Sequence, residues 1–135
     1  MTSPVIRIGK DEPVTVAART LEHYQIGALP VCDANGTLCG LITDRDLVLR
    51  CMAANRNPEQ VTVGDIMTGQ IAVATPDMDA REAAKIMGVR QVRRLPVVDG
   101  GQLCGMLSLG DLANAWEHTG VEEALSQISS PFRGK

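Results

Sequence analysis

The chain has 135 residues, 44% of them apolar, and a formal charge of −3 with the two signs interspersed. That is enough apolar material for the core of one ordinary domain, and it leaves no basic stripe for a phosphate backbone. Tyr24, Trp116 and Phe132 are the only aromatics, too few to stack single-stranded bases, so no nucleic acid partner is expected.

In chain order, the N-terminus (Met1-Thr2-Ser3-Pro4) lacks the basic flank and apolar run of a secretion signal, and no stretch of 18 uninterrupted apolar residues follows. The expectation is a cytoplasmic protein with no membrane partner. An extended segment, Val5 to Ile8, leads to Val14, Ala17, Ala18 and Leu21, spaced i, i+3, i+4, i+7 as on the apolar face of a helix. Two apolar runs, Leu29 to Cys32 and Leu38 to Thr43, surround an Asn35-Gly36 turn and predict a hairpin. A second helix starts at Asp44 and is stopped by Asn55-Arg56-Asn57-Pro58, because proline lacks the donor that a continuing helix needs.

The same order then recurs. Ile71 to Ala74 is extended, and a helix begins at Asp79-Ala80-Arg81-Glu82, a capping-box pattern, with Gly88 marking its end. Leu95 to Val98 and Leu103 to Ser108 predict a second hairpin, and another helix starts at Gly110. After Gly120, Val121, Leu125 and Ile128 fall near one helical face. They predict a C-terminal helix packed on the body or on a second subunit, with a frayed end as the alternative.

The recurrence is visible residue by residue. A shift of 66 matches Met1-Thr2 to Met67-Thr68, Asp11 to Asp77, Ala17-Ala18 to Ala83-Ala84, Gln25 to Gln91, Leu29-Pro30-Val31 to Leu95-Pro96-Val97 and Asp33 to Asp99. After one residue is lost in a turn, a shift of 65 matches Gly36, Leu38-Cys39-Gly40 and Asp46-Leu47 to Gly101, Leu103-Cys104-Gly105 and Asp111-Leu112. A hairpin loop is where such a length change costs least. The fold class expected is α+β (mixed α/β), with two β-α-β-β-α repeats, residues 1–57 and 58–120, and a C-terminal helix and tail over 121–135. One repeat alone buries little surface, so the two are expected to pack about a pseudo-twofold axis and to leave two related clefts for a small ligand.

Cys32, Cys39, Cys51 and Cys104 form no Cys-x-x-Cys pair, and His23 and His118 do not supply the spacing of a zinc site. Reduced, buried thiols are expected; Cys32 and Cys39 flank a turn and can face each other, but a reducing compartment argues against a disulfide. Cys39 and Cys104, at equivalent places inside strands, are read as packing residues. His23 lies on the polar side of its helix and His118 near a helix end, where positive charge is favourable. With no nucleophile paired to a base and no metal-ligand cluster, the chain is not expected to be an enzyme.

The segment Gly40-Leu41-Ile42-Thr43-Asp44-Arg45-Asp46 and its copy Gly105-Met106-Leu107-Ser108-Leu109-Gly110-Asp111 each carry a strand through a turn into a helix. A hydroxyl at the cap and a carboxylate three residues on lie on one side of the first turn, beside backbone N–H groups. Such a pair suits a nucleotide, phosphate on the donors and ribose hydroxyls on the carboxylate. It equally matches a capping box, in which both residues are structural.

The repeated series of Met-Thr, an Ala-Ala helix, Leu-Pro-Val, an Asp/Gly turn and Gly-x-x-Thr/Ser-x-x-Asp-Leu resembles the CBS domain, here as a tandem pair or Bateman module, from Met1 to about Trp116. Gln25 to Val31 and Gln91 to Val97 are similar to segments of short stand-alone CBS-pair proteins of actinobacteria, some of hypoxic-response type. The resemblance implies a non-catalytic regulatory sensor that needs no cofactor and binds AMP, ADP, ATP or S-adenosylmethionine in clefts between the repeats. Asp46 and Asp111 would then hold ribose, with Thr43 and Ser108 beside them. The residue before Leu-Pro-Val, which often faces phosphate in the family, is Arg94 in the second copy and Ala28 in the first. Arg45 is a candidate substitute in the first copy, with a solvated surface arginine as the alternative, and Pro30 and Pro96 complete the candidate set. The implied partners are a second copy in a homodimer and an effector protein on another chain. The alternative function is a ligand-independent, dimeric interaction or stress-response scaffold.

Overall fold

The computed structural model describes residues 5–115. Trp116, His118 and the helix expected over 121–135 lie outside the described residues. The elements in order are β1 (Ile8–Gly9), α1 (Val14–Tyr24), β2 (Ala28–Cys32), β3 (Leu38–Thr43), α2 (Asp44–Asp46) running into a π-helical stretch (Leu47–Met52), α3 (Val63–Ile66), α4 (Ala80–Arg90), β4 (Arg94–Asp99), β5 (Gln102–Ser108) and α5 (Leu109–Ala115). This is the expected α+β order given twice. The second copy's opening strand is reduced to one parallel bridge, Ala74 with Val97, which repeats the pairing of Ile8 with Val31. The predicted extended segments were longer, four residues each; only their last residues reach a strand partner.

Two compact units result, 6–71 with 101–103, and 72–100 with 104–115 plus Val5. In the first, β2 lies between β1, parallel to it, and β3, antiparallel to it. Val14, Ala17 and Leu21 of α1, Leu29 and Val31 of β2, Ile42 of β3 and Val63 and Ile66 of α3 form its core. In the second, Ala83, Ala84 and Met87 of α4 pack with Leu95, Val97, Leu109 and Leu112. Each fully buried Leu, Ile or Val stabilises its unit by about 1.5–3 kcal/mol relative to exposure.

Three details of the helices differ from the sequence reading. Ala18 is exposed, because the buried stripe of α1 runs through Val14, Ala17 and Leu21 and is narrower than the spacing suggested; its counterpart Ala84 is buried. Gly88 does not end α4 but is buried within it, and Gln91 makes the stop in the left-handed conformation (φ 58°). Gln25 does the same for α1 (φ 55°), and Ile26 and Val92 then donate back to the carbonyls of Leu21 and Met87 at 3.1 and 3.0 Å. The Gln25–Gln91 identity therefore marks a shared helix ending. Lastly, α3 was not anticipated: Thr62 and Asp65 cap it reciprocally, at 3.1 Å from the Thr62 N–H and 3.3 Å from the Asp65 N–H.

The hairpins explain the change of shift. The first turn is held by Asp33, whose Oδ1 accepts from the N–H groups of Asn35 and Thr37 at 2.9 and 3.0 Å. The second is a two-residue turn, Gly100-Gly101, with φ of 59° and 84°, the signs that a tight hairpin turn requires and that glycine adopts without strain. In the first hairpin the register slips between Val31 and Cys32, leaving Cys39 as an extra residue. No disulfide joins the four cysteines. Cys32 and Cys51 are buried as expected, whereas Cys39 is half-buried and Cys104 exposed, because Leu103 and Gly105 take the inward positions of β5. Burial pushes the Cys32 thiol up, against the opposing pull of the nearby Arg7 guanidinium.

The Thr62 N–H, and then its hydroxyl, hold the Asp65 carboxyl below its ordinary range. The unfolded chain, with the ordinary value, takes up this proton first as pH falls. The stabilisation is therefore complete above the ordinary carboxylate pKa and is lost as pH drops through the lowered folded value. Urea unfolding followed below about pH 5 should show a shallower acid loss of stability in Asp65→Asn than in the parent.

Candidate functional site

Both candidate pairs stand where a strand turns into a helix, a point at which the first N–H groups of the helix need acceptors. In the first repeat Thr43 Oγ1 accepts from the Asp46 N–H at 3.1 Å and Asp46 Oδ2 accepts from the Thr43 N–H at 3.0 Å. In the second, Ser108 Oγ accepts from the Asp111 N–H and Asp111 Oδ2 from the Ser108 N–H, both at 3.0 Å. The capping box is thus real in both copies. It uses one carboxylate oxygen in each and leaves the other to the surroundings.

Those surroundings differ. Asp46 is buried, 6% exposed, and is the one charged residue in the described core. The Thr68 hydroxyl donates to it, 3.2 Å from Oδ1 and 3.4 Å from Oδ2, and Arg50 Nε lies 3.7 Å from Oδ1. Asp111 is exposed, and its Oδ1 has no partner among the described residues.

The strand side of each corner is also equivalent. The Asp44 N–H donates to Gly27 O at 3.0 Å and the Leu109 N–H to Arg93 O at 2.8 Å, which sets Ala28 and Arg94 next to their corners. Arg94 opens β4 and is exposed, while Ala28 is half-buried. The residue that opens the strand at each corner is thus an exposed arginine in the second repeat and a half-buried alanine in the first. Arg45 is exposed beside the first corner, and Pro30 and Pro96 are fully buried within β2 and β4.

A pocket of about 220 Å³ opens in the second unit, lined by Ala74, Thr75, Pro76, Met78, Ala80, Ala83, Val97, Leu107 and Leu112. Leu107 and Leu112 bracket the Ser108–Asp111 box in sequence, while Ser108 and Asp111 themselves do not line the pocket. Composition-based reading missed Thr75, Pro76 and Met78. The repeat was the usable signal, since these positions match Gly9, Lys10 and Glu12, which line a pocket of about 390 Å³ in the first unit with Asp11, Cys32, Asp33 and Ala34. The first unit's pocket is charged where the second's is apolar. His23 is exposed and meets Tyr24 edge-on, at 4.7 Å between ring centres. No group of three or more His, Cys, Asp or Glu side chains able to hold a metal ion occurs among the described residues, and no helix among them is long and apolar enough to cross a membrane.

The sequence pattern of the CBS domain matches residues 1–52 and 63–118. The chain belongs to the CBS-domain family, as a tandem pair. It is 35% identical over 130 residues to the CBS domain-containing protein YhcV of Bacillus subtilis, covering 96% of this chain and 91% of that protein. Hypoxic response protein 1 of Mycobacterium tuberculosis is 31% identical over 132 residues, covering 98% of the CBS pair and 92% of its relative. A crystal structure of Hypoxic Response Protein I with two coordinated zinc ions superposes with a TM-score of 0.79 at 33% identity, over 86% of this chain and 94% of that one. The structure of CBSX2 in complex with AMP gives 0.72 at 30% identity, over 83% and 87%.

If Asp46 is a buried pin and Asp111 mainly a surface cap, the two differ in stability cost. Asp46→Ala should lower the unfolding free energy by about 2–3 kcal/mol, because it leaves buried donors unpaired, and Asp111→Ala by about 1 kcal/mol, the loss of a cap. Equal losses in urea titrations of the two variants would show that the corners are energetically alike.

Proposed function

We propose that this CBS pair is a non-catalytic sensor that binds an adenosyl ligand, AMP, ADP, ATP or S-adenosylmethionine, at the Ser108–Asp111 corner of its second repeat. The observation that carries this is the exposed Asp111 carboxylate, pre-oriented by its own capping bond, with one oxygen unclaimed among the described residues. Its roles follow from chemistry. Oδ1 accepts from ribose hydroxyls, the neighbouring apolar pocket takes the base, and Arg94 offers a planar fork to phosphate. The AMP held by CBSX2 supports adenosyl chemistry for the family.

Calorimetric titration with AMP tests this. The parent should bind, and Asp111→Asn should lose roughly ten- to a hundredfold in affinity, the worth of hydrogen bonds to a charged acceptor. Arg94→Ala should weaken AMP more than adenosine, which carries no phosphate. Absence of heat with all four ligands would favour the ligand-independent scaffold.

The same proposal assigns the readout to an effector protein on another chain, in the cytoplasm. A homodimer is part of the same proposal. Val48, Leu49 and Met52 are exposed on the π-helical stretch, Met52 at 73%, and the equivalents of the first two in the second repeat are Ala113 and Asn114. The apolar face thus belongs to the first repeat, as a self-complementary contact between two copies would use it. In sedimentation, Met52→Glu should shift the protein from dimer to monomer; a parent that is already monomeric would overturn the assembly.

A further inference from the structure

We propose that Arg50 and Thr68 form a latch over Asp46, so that this chain takes one adenosyl ligand, in its second repeat, and none at the equivalent corner of the first. The inference rests on Asp111 being the ligand-binding carboxylate.

The latch is built from hydrogen bonds that close on one another. Arg50 Nη1 donates to the carbonyls of Ile66 and Met67, at 3.2 and 3.0 Å, while its Nε faces Asp46 Oδ1. The segment that carries Thr68 is therefore tied to the side chain that faces the carboxylate. Thr68 is fixed from the other side by two backbone bonds with Leu41, 2.9 Å from the Leu41 N–H and 2.8 Å from its own N–H. Gly40 makes this approach feasible, since a Cβ there would run into the Thr68 carbonyl oxygen. The Thr68 hydroxyl then occupies the lone pairs that a ribose hydroxyl would need.

Arg50 is half exposed, so the ion pair itself contributes little to stability. Its effect is positional. A ligand at this corner would have to displace the Thr68 hydroxyl and the guanidinium together from a buried carboxylate, leaving donors to be re-satisfied. At the equivalent position of the second repeat stands Ala115, which cannot make this bridge. Thr68 is matched by Thr2, which lies outside the described residues, so the difference between the two corners rests on Arg50 against Ala115, outside the Thr/Ser-x-x-Asp motif.

Two measurements separate this inference from the proposed function. In calorimetry with AMP, the parent should bind one equivalent per chain, Asp46→Asn should retain that stoichiometry with affinity within about twofold, and Asp111→Asn should lose binding. Two equivalents in the parent, or equal damage from both variants, would overturn the latch. Independently of nucleotide, amide hydrogen exchange at Thr68 and Leu41 should accelerate by about tenfold or more in Arg50→Met, a variant that keeps the aliphatic stem. Unchanged exchange overturns the latch even where AMP binds. Faster exchange without any nucleotide binding keeps the latch and removes the ligand reading of Asp111.

Discussion

The proposed function hangs on the strand-to-helix corner, where a hydroxyl and a carboxylate three residues apart satisfy each other's backbone N–H. A helix cannot begin without acceptors for its first donors, so local chemistry draws both side chains into place in either repeat. One carboxylate oxygen is consumed by this task. The orientation of the other is settled before any ligand arrives, which is the preorganisation that binding requires.

The repeat carries two such corners, and their surroundings differ. In the first unit a threonine and an arginine from elsewhere in the chain converge on the spare oxygen, and the nearby pocket carries Lys10, Asp11 and Glu12. In the second the spare oxygen has no partner among the described residues and Asp111 is exposed, and the pocket is lined by Pro76, Met78 and other apolar groups. The capping motif is constant while its role moves from pinning the chain to presenting an acceptor. A charge held by several buried donors adds rigidity, whereas an exposed charge can exchange water for a ligand at small cost.

The repeat also accounts for features that look accidental singly. Gln25 and Gln91 end their helices in a conformation that glycine usually takes, and Ile8 and Ala74 pair with equivalent valines. The one-residue change of shift falls in the hairpin loop, where an Asp33-centred turn is exchanged for Gly100-Gly101.

Much of this was legible in the order of residues alone: the duplication, both hairpins, the helix starts at Asp44 and Asp79, and the capping pairs themselves. Each depends on near neighbours in the chain, through periodicity, turn chemistry or a three-residue hydrogen bond. The same reasoning misplaced Ala18, Gly88 and the solvent-facing Cys104, and overlooked α3, because burial is conferred by partners that approach from other elements. Whether Asp46 and Asp111 were equivalent was likewise beyond a motif that reads identically in both. Thr68 lies 22 residues from Asp46, and only the folded chain brings its hydroxyl to that carboxylate. Local sequence determined that each corner would carry a carboxylate; long-range packing decided which of the two would be covered.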